Sequence, residues 1–289
     1  MRLAFLGTPP AAVPALDALV EAGHEVVVVI SQPDRRRGRG NEVSASPVKA
    51  AALGHGLAVA DGLSALEDVE VDYGIVVAYG EIVPAALLER IPMLNVHFSL
   101  LPRWRGAAPV ERAILAGDAE TGVGIISLEA TLDTGPLHAE ARTAVDDKTA
   151  SELTAELAAM GARLLVDVLA DPESLAHPRP QTGETTYAAK LSPEVFHLSP
   201  TMSLEEALRV VRLERAFVMV VGRRLRILRA QRGAVDAAPG RVGASAGVVA
   251  MGMADGAMEL VHVQPEGSRS MTAASWWAGV RLPDHIDWE

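Results

Sequence analysis

Arg2-Leu3-Ala4-Phe5-Leu6-Gly7 and, one helical stretch later, Glu25-Val26-Val27-Val28-Val29-Ile30 decide how the first part of this chain is built. The second run places four valines and an isoleucine in succession. Branching at Cβ favours extended backbone, and an unbroken apolar run, unlike an alternating one, suits a strand covered on both faces. Between the two runs, residues 10–22 set Val13, Leu16, Leu19 and Val20 at helical spacing, and Gly23-His24 ends the helix. Strand, helix and strand predict a parallel pair. The alternation continues outward with a helix over 46–53, strands over 73–78, 93–98 and 122–128, helices over 84–89 and 107–116, and a long amphipathic helix over 149–170. The reading is α/β, a doubly wound and mainly parallel sheet, whose ligands bind at the carboxyl ends of the strands.

The turn after the first strand, Gly7-Thr8-Pro9-Pro10, lacks the G-x-G-x-x-G of a dinucleotide loop, and its prolines remove amide donors that a pyrophosphate needs. A nicotinamide enzyme is thereby disfavoured. From 171 to 200 the chain is rich in Pro and polar residues without periodicity, which reads as a linker. Ser203 with Glu206 then gives capping-box spacing for a helix over 203–212. Short strands over 216–221, 225–231, 247–253 and 257–263, with Gly-containing turns, predict a small antiparallel barrel. The expected division is a first domain over 1–190, a linker over 191–202 and a second domain over 203–289.

At 289 residues, with 49% hydrophobic and 22% charged residues, the chain has core material for two globular domains. Its apolar runs are too short to span a bilayer, and its first residues enter a strand without a signal-peptide pattern, so a cytoplasmic protein with no membrane association is expected. There is no cysteine, hence no disulfide or thiolate site. The histidines lack metal-binding spacing, and no metal is expected. Net charge is −11, yet the segment from Arg209 to Arg241 holds nine arginines against Glu214 and Asp236. A basic segment on an acidic chain fits one domain gripping a phosphate backbone, or else a solvated face.

Asn95 and His97 stand two apart on a predicted strand, so their side chains share a face at its carboxyl end. An amide donor beside an imidazole suits acyl transfer to an amine, the one stabilising an oxyanion and the other moving a proton. Taken alone, the pair is equally a hydrogen-bonded strand end. The run that follows, Ser99-Leu100-Leu101-Pro102-Arg103-Trp104-Arg105-Gly106-Ala107-Ala108-Pro109, changes that balance. With Asn95 and His97 it closely resembles the signature of the folate-dependent formyltransferases, and Leu132-Asp133-Thr134-Gly135 resembles their second signature. The resemblance implies a Rossmann-like formyltransferase domain with Asn95, His97 and Asp133 as the catalytic set. It also implies that Ser99, Leu100, Leu101 and Pro102 line the pocket for 10-formyltetrahydrofolate.

Within that family the chain is similar to the branch acting on methionyl-tRNA. Phe5-Leu6-Gly7-Thr8-Pro9 looks like its opening, and Gln32-Pro33-Asp34, Gly38-Arg39-Gly40 and Ser46-Pro47-Val48-Lys49 match a basic inserted loop. The resemblance implies that Arg35, Arg36, Arg37 and above all Arg39 meet the acceptor end of initiator methionyl-tRNA, and that Arg223, Arg224 and Arg226 belong to an OB-like C-terminal domain that holds it. Thr186-Tyr187-Ala188-Ala189-Lys190 matches a further segment bordering the catalytic domain. The C-terminal half departs from the pattern: Phe196-His197-Leu198 and Arg212-Leu213-Glu214-Arg215 stand where tryptophan-containing steps are expected. That leaves the detailed tRNA contacts open. Trp276-Trp277 is read as barrel packing. A monomer acting in translation initiation is expected; the alternatives are a folate-dependent formyltransferase of another amine and a catalytically idle RNA-binding module.

Overall fold

The computed structural model describes residues 1–37, 42–233, 235–280 and 285–288. These gather into two compact units, one of Met1–Val110, Glu120–Ala144 and Thr154–Ala189, the other of Glu111–Ala119, Val145–Leu153 and Lys190–Glu289.

In the first unit a seven-stranded sheet runs in the order Leu137–Ala144, Glu120–Ser127, Met93–His97, Tyr73–Val77, Arg2–Gly7, Glu25–Ile30, Val59–Ala60. The last five strands are parallel; Glu120–Ser127 is antiparallel to Met93–His97, and Leu137–Ala144 is antiparallel to Glu120–Ser127. From Arg2–Gly7 the chain moves outward through Glu25–Ile30 to Val59–Ala60, then returns to the other side of the first strand at Tyr73–Val77. That reversal opens a crevice at the carboxyl ends of Arg2–Gly7 and Tyr73–Val77, the ligand-binding place of such sheets. Ala4, Leu6, Val28, Ile30, Val76 and Met93 bury one face of the sheet. By strand alternation Asn95 and His97 continue that face to the carboxyl edge.

The opposite face of the same strand is buttressed by the helix Ala150–Ala170. A Cβ at Gly161 would fall 2.7 Å from Val96 Cγ1 and 3.0 Å from Val123 Cγ2. The missing side chain therefore lets the helix backbone close on the strand that carries Asn95 and His97. Two strands of this sheet were not foreseen, Val59–Ala60 and Leu137–Ala144. The first is two residues long, and the second alternates alanines with polar groups at a sheet edge where only Leu137 is fully buried, so neither produces an apolar run.

The second unit folds around the antiparallel order Phe217–Val220, Arg223–Arg232, Gly256–Pro265, Val248–Met253, Arg241–Ser245, His285–Asp287. A bridge from Val220 to Trp288 brings the last segment back to the first strand, leaving a nearly closed barrel. Val218, Ile227, Val242, Met251 and Leu260 fill it. The helix Leu204–Arg212 packs against the same core and carries the anticipated capping box, Ser203 Oγ accepting from the Glu206 amide and Glu206 accepting from that of Ser203. Trp276 sits in this core, on the helix Ala273–Val280 rather than on a strand. Within the stretch 191–202, Phe196 and Leu198 are buried, and Leu198 belongs to this core.

Candidate active site

The strand Met93–His97 is buried along its whole length, so the polar side chains at its end are held by neighbours instead of water. Asn95 is 8% exposed, and His97 and Asp133 are each 6% exposed. Asp133 reaches them from the loop that leaves Glu120–Ser127. That loop is pinned at its base by Ser127 N donating to Pro136 O at 3.0 Å and Leu128 N donating to Met93 O at 2.8 Å. One carboxylate oxygen of Asp133 accepts from Asn95 Nδ2 at 3.3 Å and lies 3.7 Å from His97 Nδ1. The other accepts from the Gly106 amide at 2.8 Å. The structure thus brings together the three residues that the sequence places in two separate signatures.

The partners fix the imidazole's state. His97 Nε2 stands 3.0 Å from the Trp104 carbonyl, which can only accept, so Nε2 carries the proton. In the neutral ring Nδ1 is then a lone pair beside Asp133. It can take a proton, and the resulting cation faces the carboxylate.

A second layer holds this arrangement. Gln181 Nε2 donates to the carbonyls of both Asp133 and Gly135 at 2.8 Å, and its Oε1 accepts from Arg105 Nε at 3.1 Å and Nη2 at 2.5 Å. The ribbon of Arg105–Gly106 with Tyr187–Ala188 carries the donor Gly106. A Cβ at Gly106, where φ is +122°, would lie 2.8 Å from Ala188 O, so this position needs glycine. Sequence reading assigned Gln181 to a linker, since it sits in a Pro-rich stretch without periodicity. No local signal marks it.

In the predicted cofactor segment, Ser99 is fully buried and donates to Arg103 O at 2.6 Å. Leu101 packs with Ile126 and Leu137, and Leu100 lies where a side chain on Gly122 would be. Pro102 is buried and its carbonyl accepts from the Thr186 amide at 3.3 Å. These side chains shape the loop from beneath. Across the crevice, Thr8 Oγ1 donates to Tyr79 O at 3.2 Å and accepts from Gln32 N at 3.3 Å, tying three strand ends together. Glu81 accepts from Gln32 Nε2 at 2.7 Å and from the Tyr79 hydroxyl at 3.3 Å. Burial first, then the Glu81 charge, pushes the Tyr79 phenol up to about 12, so it remains a donor. Ile82 and Leu132 are 85% and 61% exposed, apolar side chains on the loops next to Glu81 and Asp133 that sequence reading did not single out.

The family model for formyl transferase matches residues 1–169, and that for the formyl transferase C-terminal domain matches 190–281. A methionyl-tRNA formyltransferase of Thiobacillus denitrificans is 44% identical, with 98% of this chain and 97% of the relative covered. One of Novosphingobium aromaticivorans is 45% identical, with 98% of each covered. The chain belongs to the methionyl-tRNA formyltransferase family. Among solved structures, a methionyl-tRNA formyltransferase from Clostridium thermocellum shares the fold with a TM-score of 0.57 at 18% identity, covering 81% of this chain and 94% of that one. HypX from Aquifex aeolicus, in complex with tetrahydrofolic acid, gives a TM-score of 0.69 at 19% identity over 96% of this chain. The chain spans 46% of HypX.

For a methionyl-tRNA formyltransferase fold the remaining predicted contacts are the arginines. Arg35–Arg37 forms a short antiparallel ribbon with Glu42–Ser44, where a loop was expected, and Arg39 lies outside the described residues. In the second unit Arg226 donates to Gln264 Oε1 and Glu214 O, both at 3.1 Å, and Arg224 lies over the Phe217 ring at 3.7 Å. Arg223 reaches Glu266 O at 3.5 Å. Arg212, not among the predicted contacts, spends its guanidinium on Lys148 O and Val145 O, and burial lowers its pKa. Much of the basic segment is therefore tied to its own unit, which a count of charges does not reveal. Among the described residues there is no group of three or more His, Asp or Glu that could hold a metal, and no helix long and apolar enough to cross a membrane.

Proposed function

We propose that this chain transfers the formyl group of 10-formyltetrahydrofolate to the amino group of methionine on initiator methionyl-tRNA, as a cytoplasmic monomer serving translation initiation. The observation that carries the reading is the buried cluster in which Asn95 and His97 both address one Asp133 oxygen at the carboxyl edge of the sheet. The names of the relatives supply the acceptor.

Attack of the amine nitrogen on the formyl carbon forms a carbon–nitrogen bond and leaves a negative oxygen and a positive nitrogen. Asn95 Nδ2 is the donor for that oxygen. His97 Nδ1 takes the proton from the amine, Asp133 offsets the imidazolium charge, and the same proton returns to the folate nitrogen as its bond to the formyl carbon breaks. The surroundings support the cosubstrate: exposed Ile82 and Leu132 would give apolar cover to a flat ring, and Leu101, in a loop whose side chains are turned to packing, would give its backbone. The residues 1–190 would form the catalytic domain, 191–202 the connection and 203–289 an OB-like domain that holds tRNA. Arg35, Arg36, Arg37 and Arg39 would meet the acceptor stem, and Arg223, Arg224 and Arg226 the phosphate backbone, within the commitments described above.

The test is purified protein with 10-formyltetrahydrofolate and charged initiator tRNA, followed for N-formylmethionine. A nucleotide-linked amino sugar that proves the better acceptor overturns the tRNA reading. Arg39→Glu should strongly weaken use of tRNA and leave folate binding intact, since guanidinium pairing with phosphate is reversed by a carboxylate; unchanged formylation counts against the loop. Gln181→Leu should lower kcat about tenfold with both KM values little changed, because it frees the Asp133 loop without touching substrate. Steady-state kinetics check this, and an unaltered kcat removes Gln181 from the positioning layer.

A further inference from the structure

The basic ribbon leaves the sheet at Ser31 and returns at Ser46, and both residues are fully buried. Their hydroxyls are 2.5 Å apart, one donating to the other. Ser46 also caps the helix Pro47–Gly54, accepting from the Lys49 amide at 3.0 Å, and Ser31 N donates to Ala60 O at 3.1 Å. One layer further out, Lys49 Nζ lies 2.9 Å from Asp34 and 3.6 Å from Asp61. Its side chain is only 21% exposed. The hydrogen bond to Asp34 is the largest of the influences on Lys49, and the net effect holds its ammonium above the ordinary lysine range. Next in order comes the ribbon itself, with Arg35 opposite Ser44.

Buried hydroxyl pair, ion pair and strand pair thus close the ribbon's two legs in successive steps from the sheet outward. We propose that the Asp34–Lys49 pair, seated on the Ser31–Ser46 contact, is a positioning clasp that fixes the direction in which the basic ribbon meets the acceptor RNA. The inference rests on the reading above that the ribbon addresses tRNA. Lys49 anchors the clasp to helix Pro47–Gly54 and, through Asp61, to the end of strand Val59–Ala60, so the ribbon takes its bearing from the sheet that carries the active site. Asp34 and Lys49 act on binding through the ribbon. They are not catalytic residues.

The sign of one substitution separates the clasp from general electrostatics. Asp34→Asn removes a negative charge from a basic surface, so charge alone would tighten RNA binding and lower KM for methionyl-tRNA. Loss of the clasp instead raises that KM, by about two- to fivefold for an ion pair of this exposure, with kcat and the KM for 10-formyltetrahydrofolate unchanged. Lys49→Met should match Asp34→Asn, the double variant should be no worse than either, and Lys49→Arg should restore near-normal KM. A KM in Asp34→Asn that is unchanged or lowered overturns the clasp. A variant with Arg35, Arg36 and Arg37 all replaced by serine, assayed in parallel, separates the two levels. If it loses tRNA affinity while Asp34→Asn does not, the clasp alone fails; if it too leaves KM unchanged, the ribbon's RNA role fails and the clasp falls with it.

Discussion

His97→Ala lowers turnover by about a hundredfold or more while the protein stays folded, and Asn95→Ala and Asp133→Ala do the same. The three effects have different physical origins. Removing His97 removes the lone pair at Nδ1 that receives the amine proton; the Trp104 carbonyl it leaves behind is far too weak a base to replace it, and Asp133 is committed to Asn95 and Gly106. Removing Asn95 deletes the donor for the developing oxyanion and frees one Asp133 oxygen. Removing Asp133 leaves the imidazolium without its counter-charge and the Gly106 amide without its acceptor. Combining any two should cost less than the product of their separate effects, because all three act on one step. Single-turnover formylation with saturating substrates measures the chemical step directly. Near-normal turnover in one variant removes that residue from the set.

The pairing of Asn95 with His97 was legible because its geometry is local. Asn95 and His97 share a face by strand alternation alone, and the apolar residues Met93, Leu94, Val96 and Phe98 around them mark the strand that holds them. Asp133 became legible only through its resemblance to a second signature, since an Asp before Thr-Gly reads locally as a turn, and it does adopt a turn conformation with φ of +52°. Gln181 was not legible. Its role depends on carbonyls of Asp133 and Gly135 and on Arg105, all distant in sequence, and side-chain amides carry no periodicity. Ser99 shows the converse: the motif places it in the site, while the structure spends its hydroxyl on Arg103 O within its own loop.

The second unit gives the same lesson in charge. Nine arginines over a short stretch are visible in the sequence, but Arg212 and Arg226 donate to carbonyls and an amide of their own unit, and Arg224 stacks on Phe217. Composition reports how many cations a segment has. Only the fold reports how many remain available to a phosphate.

The loop that brings Asp133 to its partners depends on a position with no side chain. A Cβ at Gly135 would lie 1.8 Å from Ser127 O and 2.8 Å from Ser127 C, both backbone atoms of a sheet strand that cannot yield as a flexible side chain would. Gly135→Ala must therefore push the loop off the strand. That breaks the Ser127 N to Pro136 O bond and withdraws the Gly135 carbonyl from Gln181. Asp133, two residues away, moves with it, and a displacement of about 1 Å at a catalytic group is enough to cost on the order of a hundredfold in kcat. Stability should fall as well, by about 2–4 kcal/mol, as steric conflict in a packed backbone usually demands. Gly54→Ala is the matched control: a Cβ there meets nothing within 4 Å and its φ is ordinary, so kcat and unfolding midpoint should stay near those of the parent protein. Urea unfolding and steady-state kinetics on the two variants decide the matter. If Gly135→Ala behaves like Gly54→Ala, the contact with Ser127 does not hold the Asp133 loop, and the carboxylate's position must be set by Asn95, Gly106 and Gln181.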